Sequence, residues 1–100
     1  MSRTCLITPR ASQDIEAIAD YLAENSGLDS AEAFLSDLDA ILKRIAQFPE
    51  IGRKRDELYP DLRSIPYKKR YIIFYRLFDD SIEVFRIVSS YQNLTTLFEE

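Results

Sequence analysis

Residues 31–48 carry a single apolar stripe that dictates much of what the rest of the chain must do. Ala31, Phe34, Leu35, Leu38, Ile41, Leu42, Ile45 and Phe48 recur at three- and four-residue intervals. That spacing puts them on one face of an α-helix about five turns long. A helix with one apolar face is stable only against a second surface that covers it. The residues before it supply a shorter helix. Thr8 is a capping hydroxyl, Pro9 suits the first helical position, and Ile15, Ile18, Ala19 and Leu22 line one face. Asn25-Ser26-Gly27 ends that helix, and Asp29 with Glu32 reads as a capping box opening the next. So short a join predicts an antiparallel helical hairpin. Pro49 and Gly52 stop its second arm.

The surface that the hairpin covers comes from the second half. Residues 49–61, with Pro49, Gly52 and Pro60, read as a loop. Residues 62–66 read as a strand that Pro66 ends, and 67–70 as a turn. Tyr71-Ile72-Ile73-Phe74-Tyr75-Arg76-Leu77 is dense in aromatic and β-branched residues, the strongest strand signal in the chain. Asp79-Asp80-Ser81 is a hairpin turn, and residues 82–88 are the returning strand. Residues 3–8 form a first strand beside one of these, and Leu94 to Glu100 read as a last helical turn. The expectation is an α+β fold: two layers, an antiparallel sheet in the order β-α-α-β-β-β, and the hairpin on one face. Residues 1–100 are read as one domain.

Composition narrows the chemistry. The apolar share is 46%, with only 2 glycines and 4 prolines, which is a globular balance. No histidine is present, so no mechanism here uses imidazole as base, nucleophile or metal ligand. The one cysteine, Cys5, excludes an internal disulfide and reads as a buried, inert thiol. Nothing suggests a cofactor or metal: there is no glycine-rich phosphate loop, and Asp79-Asp80 belongs to a turn. No apolar run is long enough to span a membrane, and residues 1–10 lack a signal-peptide core, so a cytoplasmic protein is expected. The net charge of −4 is unevenly spread. The first fifty residues hold four basic side chains against nine acidic ones, whereas Arg53-Lys54-Arg55 and Lys68-Lys69-Arg70 make the second half locally basic.

Alternation along 71–77 sets Tyr71, Ile73, Tyr75 and Leu77 on one face and Ile72, Phe74 and Arg76 on the other. With one face under the helices, the second shows aromatic groups and an arginine. Arg63, Arg76 and Arg86 fall on three successive strands and are expected to converge on one patch, suited to phosphates, bases or carboxylates. The alternative is that each arginine pairs with a local carboxylate and covers apolar surface.

Several of these residues carry a family resemblance. They are Ala11 with Asp14-Ile15, Tyr21-Leu22, Ala31 to Phe34, Phe48-Pro49-Glu50-Ile51-Gly52-Arg53, Leu62-Arg63-Ser64-Ile65, Tyr71 to Arg76, and Val84 to Val88. In this order they resemble the ParE/RelE toxin superfamily of bacterial toxin–antitoxin modules, and more closely its ParE-like, plasmid-stabilisation branch. The resemblance implies a toxin neutralised by a cognate ParD-like antitoxin and acting on DNA gyrase by protein–protein contact rather than as an enzyme. It implies target-binding roles for Arg53, Arg63, Tyr75, Arg76 and Arg86. The antitoxin is expected along the helical hairpin and sheet edge, with Leu94, Leu97 and Phe98 as contacts.

RelE-like relatives instead cut messenger RNA on the ribosome, for which Arg63, Arg76, Arg86 and Tyr91 are the candidate catalytic residues. Many family members end the last strand with a histidine and an arginine-aspartate pair, where this chain has Ser89 and Gln92-Asn93. RNA cleavage needs groups that take and give protons, and arginine stays protonated. A third alternative is an inactive, toxin-derived binding module.

Overall fold

The computed structural model describes residues 3–89. Seven elements follow one another: β1 (Thr4–Ile7), α1 (Pro9–Ser26), α2 (Leu28–Gln47), β2 (Arg53–Lys54), β3 (Leu62–Tyr67), β4 (Tyr71–Leu77) and β5 (Ser81–Ser89). The last helical turn expected over 94–100 lies outside the described residues, as do Tyr91, Leu94, Leu97 and Phe98.

The helices start and stop largely for the reasons legible in the sequence. Thr8 Oγ1 accepts from the Ala11 N–H at 3.0 Å, and Pro9 opens α1. Gly27, at φ 94°, is at once the end of α1 and the start of α2. A side chain at that dihedral would be strained, so glycine permits a one-residue joint. The Asp29–Glu32 capping box does not form, because α2 already begins at Leu28 with Gly27 as its cap. The stripe on α2 buries Phe34, Leu38, Leu42 and Ile45, each contributing about 2 kcal/mol of apolar burial. They pack with Ile73, Tyr75, Ile82, Val84 and Ile87 of the sheet. Cys5 lies half-buried against this core, and burial pushes its thiol above the ordinary range.

The five-stranded sheet has the order β1-β5-β4-β3-β2. Three features differ from expectation. The sheet is mixed, because β1 runs parallel to β5, from Thr4 opposite Ser81 to Ile7 opposite Val84. The loop over 49–61 also contributes a two-residue strand, β2, pairing Arg53 with Ser64 and Lys54 with Arg63. Pro66 lies inside β3 rather than ending it. It is tolerated because β2 covers only the Arg63 and Ser64 end of that strand, leaving the edge open at Pro66. In β5 the register slips: Phe74 faces Arg86, but Tyr75 faces Val84, so Phe85 is the extra residue of a bulge.

The β3–β4 turn carries its own strain. Arg70 N–H donates to the Tyr67 carbonyl at 3.3 Å across Lys68 and Lys69, whose φ angles are 52° and 63°. Both lysines therefore sit in the left-handed region that hairpin turns usually give to asparagine and glycine. Lys69→Gly is expected to raise stability by about 1 kcal/mol, read as a higher denaturant midpoint with unchanged slope.

Candidate functional site

The turn after α2 is built around one tyrosine. Tyr75, in the middle of β4, is fully buried on the helix side of the sheet. Its Oη donates to the Pro49 carbonyl at 2.7 Å and accepts from the Gly52 N–H at 2.9 Å. A Cβ on Gly52 would stand 2.5 Å from Tyr75 Oη, closer than real contacts allow, so only glycine fits. Arg63, opposite Tyr75 on β3, completes the clamp. Its Nη1 donates to the Gly52 carbonyl at 2.9 Å and the Glu50 carbonyl at 3.3 Å. The proline-x-x-glycine turn, the leucine-arginine pair and the tyrosine of β4 are thus one hydrogen-bonded unit.

Arg86 is held elsewhere. Its Nε lies 2.7 Å and its Nη2 3.1 Å from the two carboxylate oxygens of Asp14 on α1. The Ile87 N–H donates to Asp14 Oδ2 at 3.1 Å as well. The side chains of Asp14 and Arg86 are only 13% and 12% exposed, so this bidentate pair is a lock between α1 and the bulged strand.

Arg76 lies on the opposite face of the sheet. Its guanidinium carbon is 5.5 Å from the Tyr59 ring centre and 5.3 Å from that of Phe78. Its Nε is buried and has no hydrogen-bond partner among the described residues. Glu83 stands directly across on β5 without an ion pair to it. Arg53 is exposed on β2.

The expected convergence of Arg63, Arg76 and Arg86 is therefore overturned. Arg63 is drawn into the clamp, Arg86 is tied to α1, and Arg76 alone joins the far face. Nor is that face an open display of aromatic groups. Leu62 and Phe74 are fully buried and Val88 nearly so, with Leu58 and Tyr59 of the β2–β3 connection packed against them. Tyr75, expected to meet a target, has no exposed surface. Sequence reasoning missed three partners. Asp14 was noticed only as a motif residue, and nothing in their own stretches marked Tyr59 and Phe78 as the rings flanking Arg76. Among the described residues, no group of three or more cysteine or carboxylate side chains is placed to hold a metal ion.

Two phenols have shifted acidity. Burial, with the Asp37 charge and Tyr71 adding to it, pushes Tyr67 up to about 12. Burial also raises Tyr75, although the Gly52 N–H and the Arg63 charge act in the other direction. Both folded values exceed that of an unfolded tyrosine, near 10. Stability from these groups is therefore complete below about pH 10. It falls as pH rises beyond that, because the unfolded chain gives up protons that the native chain keeps. The expected slope is about 1.4 kcal/mol per pH unit for each tyrosine, up to its folded value. Alkaline unfolding followed by phenolate absorbance checks this, with a shallower decline in Tyr67→Phe.

The arrangement of turn, lock and sheet can be set beside known proteins. Residues 5–94 match the family described as ParE toxin of type II toxin-antitoxin system, parDE. The chain belongs to the ParE toxin family. Toxin ParE3 of Caulobacter vibrioides is 31% identical over 87 residues, which is 87% of this chain and 86% of that protein. Toxin ParE1 of Mycobacterium tuberculosis is 34% identical over 89 residues, covering 88% and 90%. A chain of the chromosomal ParDE toxin–antitoxin system from P. aeruginosa superposes with a TM-score of 0.75 at 21% identity, over 88% of this chain and 96% of its own. That likeness shows the fold. Of the residues that carried the resemblance to ParE toxins, Gly52, Arg63 and Tyr75 meet in the turn clamp, and Asp14 and Arg86 in the helix lock. No described helix is long and apolar enough to cross a membrane.

Proposed function

We propose that this chain is the toxin of a ParDE module, a single cytoplasmic domain held inactive by a ParD-like antitoxin and acting on DNA gyrase by protein–protein contact. The observation that carries the choice of contact over catalysis is the engagement of Arg63 and Arg86. Both guanidinium groups are spent on carbonyls or a carboxylate of the chain itself. A phosphodiester would have to compete with those internal partners, and the group then left buried would be uncompensated. Tyr75 is likewise committed. Arg53 and Arg76 remain the target-binding candidates. Leu94, Leu97 and Phe98, with the helical hairpin and the sheet edge, remain the proposed antitoxin contacts.

Expression without the antitoxin is expected to arrest growth with a DNA-damage response, and micromolar protein to inhibit gyrase supercoiling. Unchanged supercoiling would remove gyrase as the target. Messenger cleavage on programmed ribosomes that is lost in Arg76→Ala would replace contact by ribonuclease chemistry. Unimpaired growth with tight antitoxin binding would mark an inactive binding module.

A further inference from the structure

The two borders of the sheet are built differently. The β2 border carries the features by which natural edge strands avoid pairing with a second chain. β2 itself is two basic residues, Arg53 and Lys54, and Pro66 interrupts the open stretch of β3 beyond it. The β1 border has none of these. Thr4–Ile7 contains no charge, no proline and no bulge, and its Leu6 and Ile7 are 49% and 45% exposed.

The backbone of β1 is also half spent. The Thr4 N–H donates to the Asp80 carbonyl at 3.2 Å and the Thr8 N–H to the Val84 carbonyl at 3.1 Å. Thr4, Leu6 and Thr8 therefore turn their polar groups toward β5, and strand alternation turns those of Cys5 and Ile7 outward. Arg3 also faces outward, but its N–H is taken by the Ala46 carbonyl at 3.0 Å. The outward N–H and C=O groups of Cys5 and Ile7 have no partner among the described residues.

We propose that this border pairs with the same border of a second copy of the chain, antiparallel about a two-fold axis at Leu6. In that register Cys5 of each copy lies opposite Ile7 of the other. The two residues exchange both hydrogen bonds, so every outward group of β1 is satisfied. Pairing centred on Cys5 would instead call on Arg3, whose N–H is already engaged. Pairing centred on Ile7 would bring Cys5 against Pro9, which has no N–H. Leu6 meets Leu6 at the axis, where the facing side chains are closest. On the hairpin face, Ile7 meets Cys5. No charge is buried, although each chain carries a net −4. The contact is isologous and closes at two copies, which leaves the guarded β2 border at each end of the doubled sheet. The inference concerns the chain alone and does not rest on the proposed target.

Sedimentation of the full chain tests it. A strand contact this small should give a monomer–dimer equilibrium with a dissociation constant of about 10–100 µM. Leu6→Lys sets like charges face to face at the axis and should weaken pairing at least about tenfold. Ile7→Pro removes an outward N–H without touching the bonds of β1 to β5, and should weaken it comparably. Melting curves below the dimerisation range confirm that both variants fold. With rising concentration the amide signals of Cys5 and Ile7 should move, whereas that of Thr4, already bonded, should move little. The register is read by cross-linking with copper phenanthroline. Leu6→Cys in a Cys5→Ser background should form a disulfide-linked dimer, because facing residues of this kind lie within disulfide reach. A monomer up to about 1 mM, association indifferent to both variants, or growth beyond the dimer overturns the proposal. Wild-type cross-linking through Cys5 as fast as that of the Leu6→Cys variant overturns it too, and so does edge pairing that needs an added protein.

Discussion

Asp14→Ala should lower stability by about 3–5 kcal/mol, the largest single loss expected in this chain. The substitution removes both carboxylate oxygens that hold Arg86 and leaves its guanidinium largely out of water without a counter-charge. It also deprives the Ile87 N–H of its acceptor beside the β5 bulge. Most of the loss is the cost of stranding what remains, so it should not be additive. Asp14→Leu combined with Arg86→Met should recover much of it, because two apolar side chains replace a desolvated pair. Chemical denaturation of the wild type, Asp14→Leu, Arg86→Met and the double variant checks this. A double variant as unstable as the sum of the singles would show that the pair contributes far more than its partners' desolvation costs.

Gly52→Ala is the second substitution with a large expected effect, about 2–4 kcal/mol, although it adds one methyl group at a turn. The new Cβ would fall 2.5 Å from Tyr75 Oη and 2.7 Å from Tyr75 Cε1, so the ring or the turn must shift. Either movement opens the bonds to Pro49 and Gly52, and with them the Arg63 contacts to the same turn. Tyr75→Phe separates the two contributions. It keeps the ring in the core but leaves a buried N–H without its acceptor, and should cost about 1–3 kcal/mol. Combining Gly52→Ala with Tyr75→Phe should cost less than the sum, since both changes lose the same hydrogen bonds and the nearest clashing atom is gone, while the 2.7 Å approach to Cε1 keeps the pair costlier than Tyr75→Phe alone. Thermal melts of the three variants give the comparison.

What was legible in the sequence was what depends on near neighbours. The α2 stripe, the Thr8-Pro9 start and the two faces of β4 follow from periodicity and capping, and the structure has all three. The fold class followed from the order of those elements, and the family from a resemblance carried by the motif residues along them. What was not legible depends on residues far apart in the chain. Asp14 and Arg86 meet across the whole length of the hairpin and sheet, and no local pattern distinguishes a helix aspartate that faces water from one that faces a strand. The bulge at Phe85 breaks the alternation along β5, so the face that Arg86 takes cannot be counted from the ends of that strand. Tyr75 and Arg63 share a face with each other and not with Arg76, as strict alternation across β3 and β4 requires once their register is known. Register is a tertiary fact, and three arginines on neighbouring strands therefore did not make a patch.

The parallel pairing of β1 with β5 has a consequence for how the molecule comes into being. Thr4 leaves the ribosome well before its partner Ser81. The helical arms can form while synthesis continues, because their contacts are close in sequence. The sheet, by contrast, stays open along one border until β5 emerges and traps the N-terminal strand against it. Closure of the sheet is thus delayed by the time needed to translate everything between those two strands, and the hairpin waits meanwhile with its apolar stripe only partly covered.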